Sequence, residues 1–234
     1  MNTNLKLPAI YPILDTGSLV ARGFPVAKAA AAFLEGGAGI LQLRHKAQWT
    51  RSVFETAREA ARLCREAGAL FIVDDRADIA MLLGAGLHVG QDDLPPRDAR
   101  RLMGSEAVIG FSSHNVAQVC AADGEPVDYL AFGPLFPTAS KRNPDPVTGI
   151  EALKECRALV EKPLVAIGGI TRETAAAVWA AGADSVAVIG DLLPAELSSL
   201  SLRQRMEEWQ QLGWKAGNIA RSRLLGGLGR AVIS

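Results

Sequence analysis

The chain has 234 residues, 49% hydrophobic and 21% charged, with 25 basic and 25 acidic side chains and so no formal net charge. That is ordinary globular composition, long enough for one large core, and it offers no overall field to draw in nucleic acid or a membrane surface. Cys64, Cys120 and Cys156 are scattered without metal or disulfide spacing, and no apolar run nears the roughly 18 to 20 residues of a membrane span or opens the chain as a signal core, so a cytoplasmic protein is expected.

A buried strand is expected over residues 9–14, an apolar run ending at Asp15 before Thr16-Gly17. Pro25 opens an Ala-rich amphipathic helix to residue 35, closed by Gly36-Gly37. Residues 39–44 form a second strand, and 51–66 a helix with Val53, Ala57, Ala60 or Ala61 and Cys64 on its apolar face. Further strands are expected at 70–73, 87–89, 107–111, 129–132, 164–167 and 185–189. Helices alternate with them at 77–83, 95–103, 115–122, 149–160, 171–181 and 202–212, with Thr171 in the N-cap position. Eight such βα units with short connections imply a parallel sheet, and at this length they favour a closed (β/α)8 TIM barrel as a single domain. An open doubly wound sheet is the competitor, without the GxGxxG that a dinucleotide-binding version would carry after its first strand. The barrel is expected over residues 1–214. Residues 215–234 hold four basic and no acidic residues, with glycines at 217, 226, 227 and 229, and read as a loosely held extension without assigned function.

A barrel places its site at the C-terminal ends of the strands, and polar residues gather there. Gln42, Arg44 and Lys46 alternate with Leu41 and Leu43, so the strand period turns all three to the barrel interior. Two cations there need a compensating anion, either an anionic ligand or the carboxylates of Asp15 or Asp75. Asp75 and Asp93 follow consecutive strands about 4.8 Å apart and could share one hard cation; Mg²⁺ suits an all-oxygen site completed by substrate phosphate and water. Asp74 and Asp92 stand beside them. Gly168-Gly169 and Ile189-Gly190 follow the seventh and eighth strands, where barrels often bind phosphate through backbone N–H groups. The stretch FGPLFPTASK (132–141) ends a strand and presents Thr138, Ser140 and Lys141, two hydroxyls and a cation suited to phosphate oxygens. His45 alternates away from the inward set, His88 lies within an apolar strand and His114 precedes a helix; none has metal-ligand spacing, and each reads as structural.

Taken together, QLRHK (42–46), DDR (74–76), HVGQDD (88–93), IGFSSH (109–114), FGPLFPTASK (132–141), AIGGIT (166–171) and VAVIG (186–190) resemble the thiamine-phosphate synthase family, in the family's order and across residues 9–193. The resemblance implies a (β/α)8 barrel that joins a hydroxymethylpyrimidine diphosphate to a thiazole phosphate, carboxylated or not, with Mg²⁺ and release of pyrophosphate. It implies that Gln42, Arg44, Lys46, Asp74, Ser112 and Lys141 take the pyrimidine diphosphate, with Arg44, Lys46 and Lys141 neutralising the leaving group. Asp75 and Asp93 would take the metal; Thr138, Ser140, Gly169, Ile189 and Gly190 would take the thiazole phosphate. Two positions depart from the family pattern: Asp74, where Asn is usual, and Gly190, where Ser is usual. The rivals are a sister thiazole tautomerase, which needs no metal–diphosphate apparatus, and a non-catalytic phosphate-binding barrel. Small molecules are the expected partners, not nucleic acid or membrane; a homo-oligomer is left open.

Overall fold

Residues along each strand alternate between two environments, both dry, which is why the strands read as continuous apolar runs. In the computed structural model, residues 5–138 and 145–228 are described, with side chains as far as Ala216. Strands β1 (Ile10–Asp15), β2 (Ile40–Arg44), β3 (Leu70–Asp74), β4 (Gly86–Val89), β5 (Ile109–Ser113), β6 (Tyr129–Phe132), β7 (Leu164–Ile167) and β8 (Ser185–Val188) pair in parallel in chain order, and β8 closes on β1. This is the (β/α)8 barrel expected from the sequence. Outward residues such as Leu41, Leu43, Val73, Leu87, Leu130 and Val186 pack under the helices, while Tyr11, Ile13, Ile40, Ile72, Tyr129, Ala131, Val165 and Ala187 fill the interior. The inward position of β5 is Gly110, and a Cβ there would lie 2.0 Å from the Tyr129 ring; the missing side chain makes room for the phenol.

The surrounding helices are α1 (Thr16–Ala21), α2 (Val26–Glu35), α3 (Arg51–Glu66), α4 (Ala77–Leu83), α5 (Pro96–Met103), α6 (Val116–Asp123), α7 (Gly149–Leu159), α8 (Ala175–Ala180) and α9 (Ser199–Leu228). Helix α3 shows the local logic. Thr50 caps it by accepting from Val53 N at 3.4 Å, and Ala57, Ala60, Ala61 and Cys64 form its buried stripe. Strand β5 lies two residues later than the expected 107–111, and three helices also differ from expectation. Helix α1 follows β1 without a gap because Asp15 acts as its N-cap, accepting from Ser18 N at 2.8 Å. Helix α8 starts at Ala175, not after Thr171, because Thr171 N donates to Thr174 Oγ1 at 3.0 Å and the chain turns there first. The last helix continues past residue 212 to Leu228, so its backbone crosses into the basic extension. Among the described residues no helix is long and apolar enough to cross a membrane.

The lower rim is fastened away from the mouth. Asp128, buried just before β6, accepts from Arg100 Nη2 at 2.6 Å and from Ile109 N of the neighbouring strand at 2.8 Å. Asp184, just before β8, repeats the arrangement with Arg157 Nη1 at 2.9 Å and Leu164 N at 2.8 Å. Removing one partner of a buried pair leaves the other uncompensated. Asp128→Ala is therefore expected to lower the unfolding free energy by about 3 kcal/mol, read from the urea midpoint at unchanged denaturant slope.

Candidate active site

The C-terminal mouth opens into a cavity of ≈ 1090 Å³ lined from all eight strands or the loops that follow them. Gln42, Arg44, Lys46, Asp74, Asp75, Asp93, Ser112, Thr138, Gly169, Ile189 and Gly190 all line it, so the barrel brings together these residues singled out from the sequence. Ser140 and Lys141 lie outside the described residues.

One wall is a ladder of alternating charge. Strand β2 turns Gln42 and Arg44 inward, and Lys46 follows just past its end. Arg44 Nη1 donates to Asp15 Oδ2 at 2.6 Å, and its Nε lies 3.7 Å from Asp74 Oδ2. Lys46 Nζ sits 2.9 Å from the same Asp74 oxygen and also pairs with Asp75 Oδ2. The anions that the sequence demanded are thus supplied by Asp15, Asp74 and Asp75 of the chain itself. Burial works to raise the Asp15 pKa, but the Ser18 hydroxyl and N–H and the Arg44 guanidinium more than offset it and hold it below the ordinary carboxylate value. At Asp74 desolvation prevails and pushes the pKa up against the pull of Lys46 and Arg44. For Lys46 the order reverses: burial lowers its pKa, and Asp74 and Asp75 together raise it further.

Asp75 and Asp93 meet at the edge of this wall. Asp75 stands at φ 61, a left-handed conformation that few non-glycine residues adopt, and its N–H donates to His88 O at 2.8 Å. Asp93 Oδ2 accepts from Gly90 N at 2.7 Å. Burial raises the Asp93 pKa, and the adjoining Asp75 carboxylate raises it again despite the Gly90 N–H. Two carboxylates turned against one another in this way fit a shared hard cation. Among the described residues no group of three or more His, Cys, Asp or Glu side chains is arranged to hold a metal. The donor set suits Mg²⁺, which takes one or two carboxylates and completes its shell with water and phosphate oxygens, rather than a closed all-protein cage.

The floor contains residues that sequence reasoning passed over. Gln42 Nε2 donates to Tyr11 OH at 3.2 Å; Tyr11 OH and Tyr129 OH are 2.7 Å apart. Tyr129 OH meets His88 Nδ1 at 3.0 Å, and His88 Nε2 meets Ser112 Oγ at 2.8 Å. This chain crosses the barrel and links the β2 side to the β5 side. Burial drives both tyrosine pKa values upward, so the phenols stay neutral and able to donate. His88 lines the cavity, and so does His114, whose Nδ1 is 2.8 Å from Gly133 O and 3.4 Å from Asp145 Oδ2. The signal for His88 was its parity: in β4 it alternates with Leu87 and Val89, which face the helices. His45 does turn away, bonding Thr16 Oγ1 through Nδ1 at 2.7 Å.

The opposite wall is backbone. Gly168 and Gly169 have φ 96 and 64, and a Cβ on Gly169 would lie 2.4 Å from Pro137 O. Only glycine fits both the conformation and the approach. The loop after β6 leans on this turn, with Leu135 N donating to Ile167 O at 2.9 Å and Phe136 N to Gly168 O at 3.0 Å, which brings Thr138 to the same side of the mouth. Ile189 leads into a single 3-10 turn, Gly190–Leu192, beside it.

Comparison with known proteins agrees with this geometry. The family model described as thiamine monophosphate synthase matches residues 10–192, the span of the barrel strands. The thiamine-phosphate synthase of Koribacter versatilis is 45% identical over 215 residues, covering 91% of this chain and 99% of its own. That of Moorella thermoacetica is 41% identical over 199 residues, covering 85% and 94%. The solved structure of thiamine phosphate pyrophosphorylase from Pyrococcus furiosus superposes with a TM-score of 0.79 at 32% identity, covering 91% of this chain and 99% of that one. With the match running through both walls of the mouth and relatives aligned almost end to end, the chain belongs to the thiamine-phosphate synthase family.

Proposed function

We propose that the chain is a transferase that condenses 4-amino-2-methyl-5-(diphosphooxymethyl)pyrimidine with a thiazole phosphate, giving thiamine phosphate and pyrophosphate. The observation that carries this reading is one cavity with two anion-binding walls: the Arg44–Lys46 ladder on one side, the Gly168–Gly169 and Ile189–Gly190 backbone on the other. A condensation of two phosphorylated molecules needs both.

In this reading Gln42, Asp74 and Ser112 hold the pyrimidine, and Arg44, Lys46 and Lys141 bind its diphosphate. Thr138, Ser140, Gly169, Ile189 and Gly190 take the thiazole phosphate. Arg44 and Lys46 exchange their carboxylate partners for phosphate oxygens when the diphosphate enters. The methylene C–O bond breaks, its electron pair leaving on the diphosphate oxygen, and the electron-rich aminopyrimidine stabilises the cation left on carbon. The fixed guanidinium and ammonium groups neutralise the charge that develops on the departing oxygens, without reorganising at the moment of reaction. The thiazole nitrogen, held by its own phosphate, then gives its lone pair to that carbon, and a thiazolium C–N bond forms. No side chain need move a proton in this sequence, so positioning and charge carry the rate. Asp75 and Asp93 would hold Mg²⁺, which when bound supplies further positive charge to the diphosphate oxygens. The substrates are anions that do not cross a bilayer unaided, which supports a cytoplasmic setting. The barrel, residues 1–214, carries every group in this scheme, and residues 215–234 are an extension to it.

Incubation with both substrates and Mg²⁺ is expected to yield thiamine phosphate and pyrophosphate in equal amounts; binding of both without pyrophosphate release would refute the activity. Chelation should stop turnover and added Mg²⁺ restore it. Asp75→Asn and Asp93→Asn should each lower kcat/KM on the order of a hundredfold at limiting Mg²⁺, the scale expected when charge stabilisation is lost from such a site. Unchanged turnover there would remove the metal from these carboxylates. Deleting residues 215–234 should leave kcat/KM within about twofold, as expected of a terminal segment outside the site.

A further inference from the structure

The two loops of the backbone wall come from different strands, and their own main chains do little to join them. The β7–β8 ladder ends at the Ile167–Ala187 pair. Beyond it the glycine turn leans on the β6 loop, whereas the turn at Gly190–Leu192 closes on itself, Leu192 N donating to Ile189 O at 3.3 Å and Leu193 N to Gly190 O at 3.0 Å. Among the described residues, the hydrogen bond between the two loops is made by one side chain. Arg172, just past the glycines, donates from Nε to Asp191 Oδ2 at 3.0 Å, and Asp191 directly follows Gly190. Helix α9 braces both ends. Glu208 Oε2 accepts from Arg172 Nη1 at 2.5 Å and from Arg205 Nε at 3.1 Å, and Arg205 Nη1 donates to Asp191 O at 2.5 Å.

We infer that Arg172 and Asp191 are positioning residues for the phosphate subsite, setting the separation between the Gly169 N–H and those of Ile189 and Gly190. This rests on assigning the thiazole phosphate to that wall. Neither side chain needs to touch the substrate: the Asp191 carboxylate lines the cavity but is held by Arg172, which removes a free negative charge from beside the phosphate. Backbone donors recognise an anion only if their spacing is right, and a partly exposed ion pair contributes little to global stability. The pair therefore acts on geometry more than on folding.

Arg172→Ala and Asp191→Asn test this in steady-state kinetics, each substrate varied at saturation of the other. The KM for the thiazole phosphate should rise roughly tenfold, within the hundredfold that about 1 Å of misplacement can cost. The kcat and the KM for the pyrimidine diphosphate should stay within about twofold, since the opposite wall is untouched. Arg172→Lys should recover part of the loss. Equal rises in both KM values, or a lowered melting temperature with neither KM moved, would overturn the inference. Gly169→Ala separates it from the assignment beneath it, because its Cβ would press on Pro137 O within the subsite itself. If Gly169→Ala raises the thiazole-phosphate KM and Arg172→Ala does not, only the positioning role falls. If Gly169→Ala leaves it unchanged, the phosphate does not bind at this wall and the role falls with the subsite.

Discussion

Two cations, Arg44 at the end of β2 and Lys46 just past it, set the terms for everything around them at the barrel mouth. Arg44 is largely buried and cannot be desolvated alone, and the chain answers both cations with Asp15, Asp74 and Asp75 from the strands on either side. Two of these carboxylates also have a second task. Asp15 caps α1, and Asp75 meets Asp93 at the edge of the mouth. The resulting ladder pairs each cation with carboxylates of the chain itself.

The two rims of the barrel use the same chemistry for opposite ends. Below, Arg100–Asp128 and Arg157–Asp184 tie helices to strand starts through buried or half-buried pairs that also satisfy backbone N–H groups. Above, the pairs Arg44–Asp15 and Lys46–Asp74 line the open mouth, and glycine turns form the wall opposite. Strain is confined to the upper rim as well: Asp75 is the non-glycine residue with positive φ among the described residues.

Between the rims, the barrel floor is polar in an unusual way for so dry a place. The Gln42–Tyr11–Tyr129–His88–Ser112 chain satisfies each buried hydroxyl and ring nitrogen through the next, and Gly110 exists to let Tyr129 reach its partners. Its two ends are residues assigned to the pyrimidine. The floor thus presents donors and acceptors in a fixed pattern across the barrel.

The barrel itself was legible in the order of the chain, because strand and helix periods differ and the glycines and prolines mark where one yields to the other. The charged wall was legible too, since the strand period decides which way Gln42 and Arg44 point and Lys46 follows just past the strand end. What the tertiary structure decided was partnership. Whether Arg44 met a ligand or Asp15 depended on a side chain 29 residues away that was also needed to cap a helix. His88 looked like a core residue because its neighbours in sequence are apolar; only the closed barrel set it against Tyr129 and Ser112, which come from other strands. Arg172, Asp191 and Glu208 carry no motif, and nothing local joins them. Their connection exists because α9 packs back across the last two loops, a contact between distant segments that periodicity cannot encode.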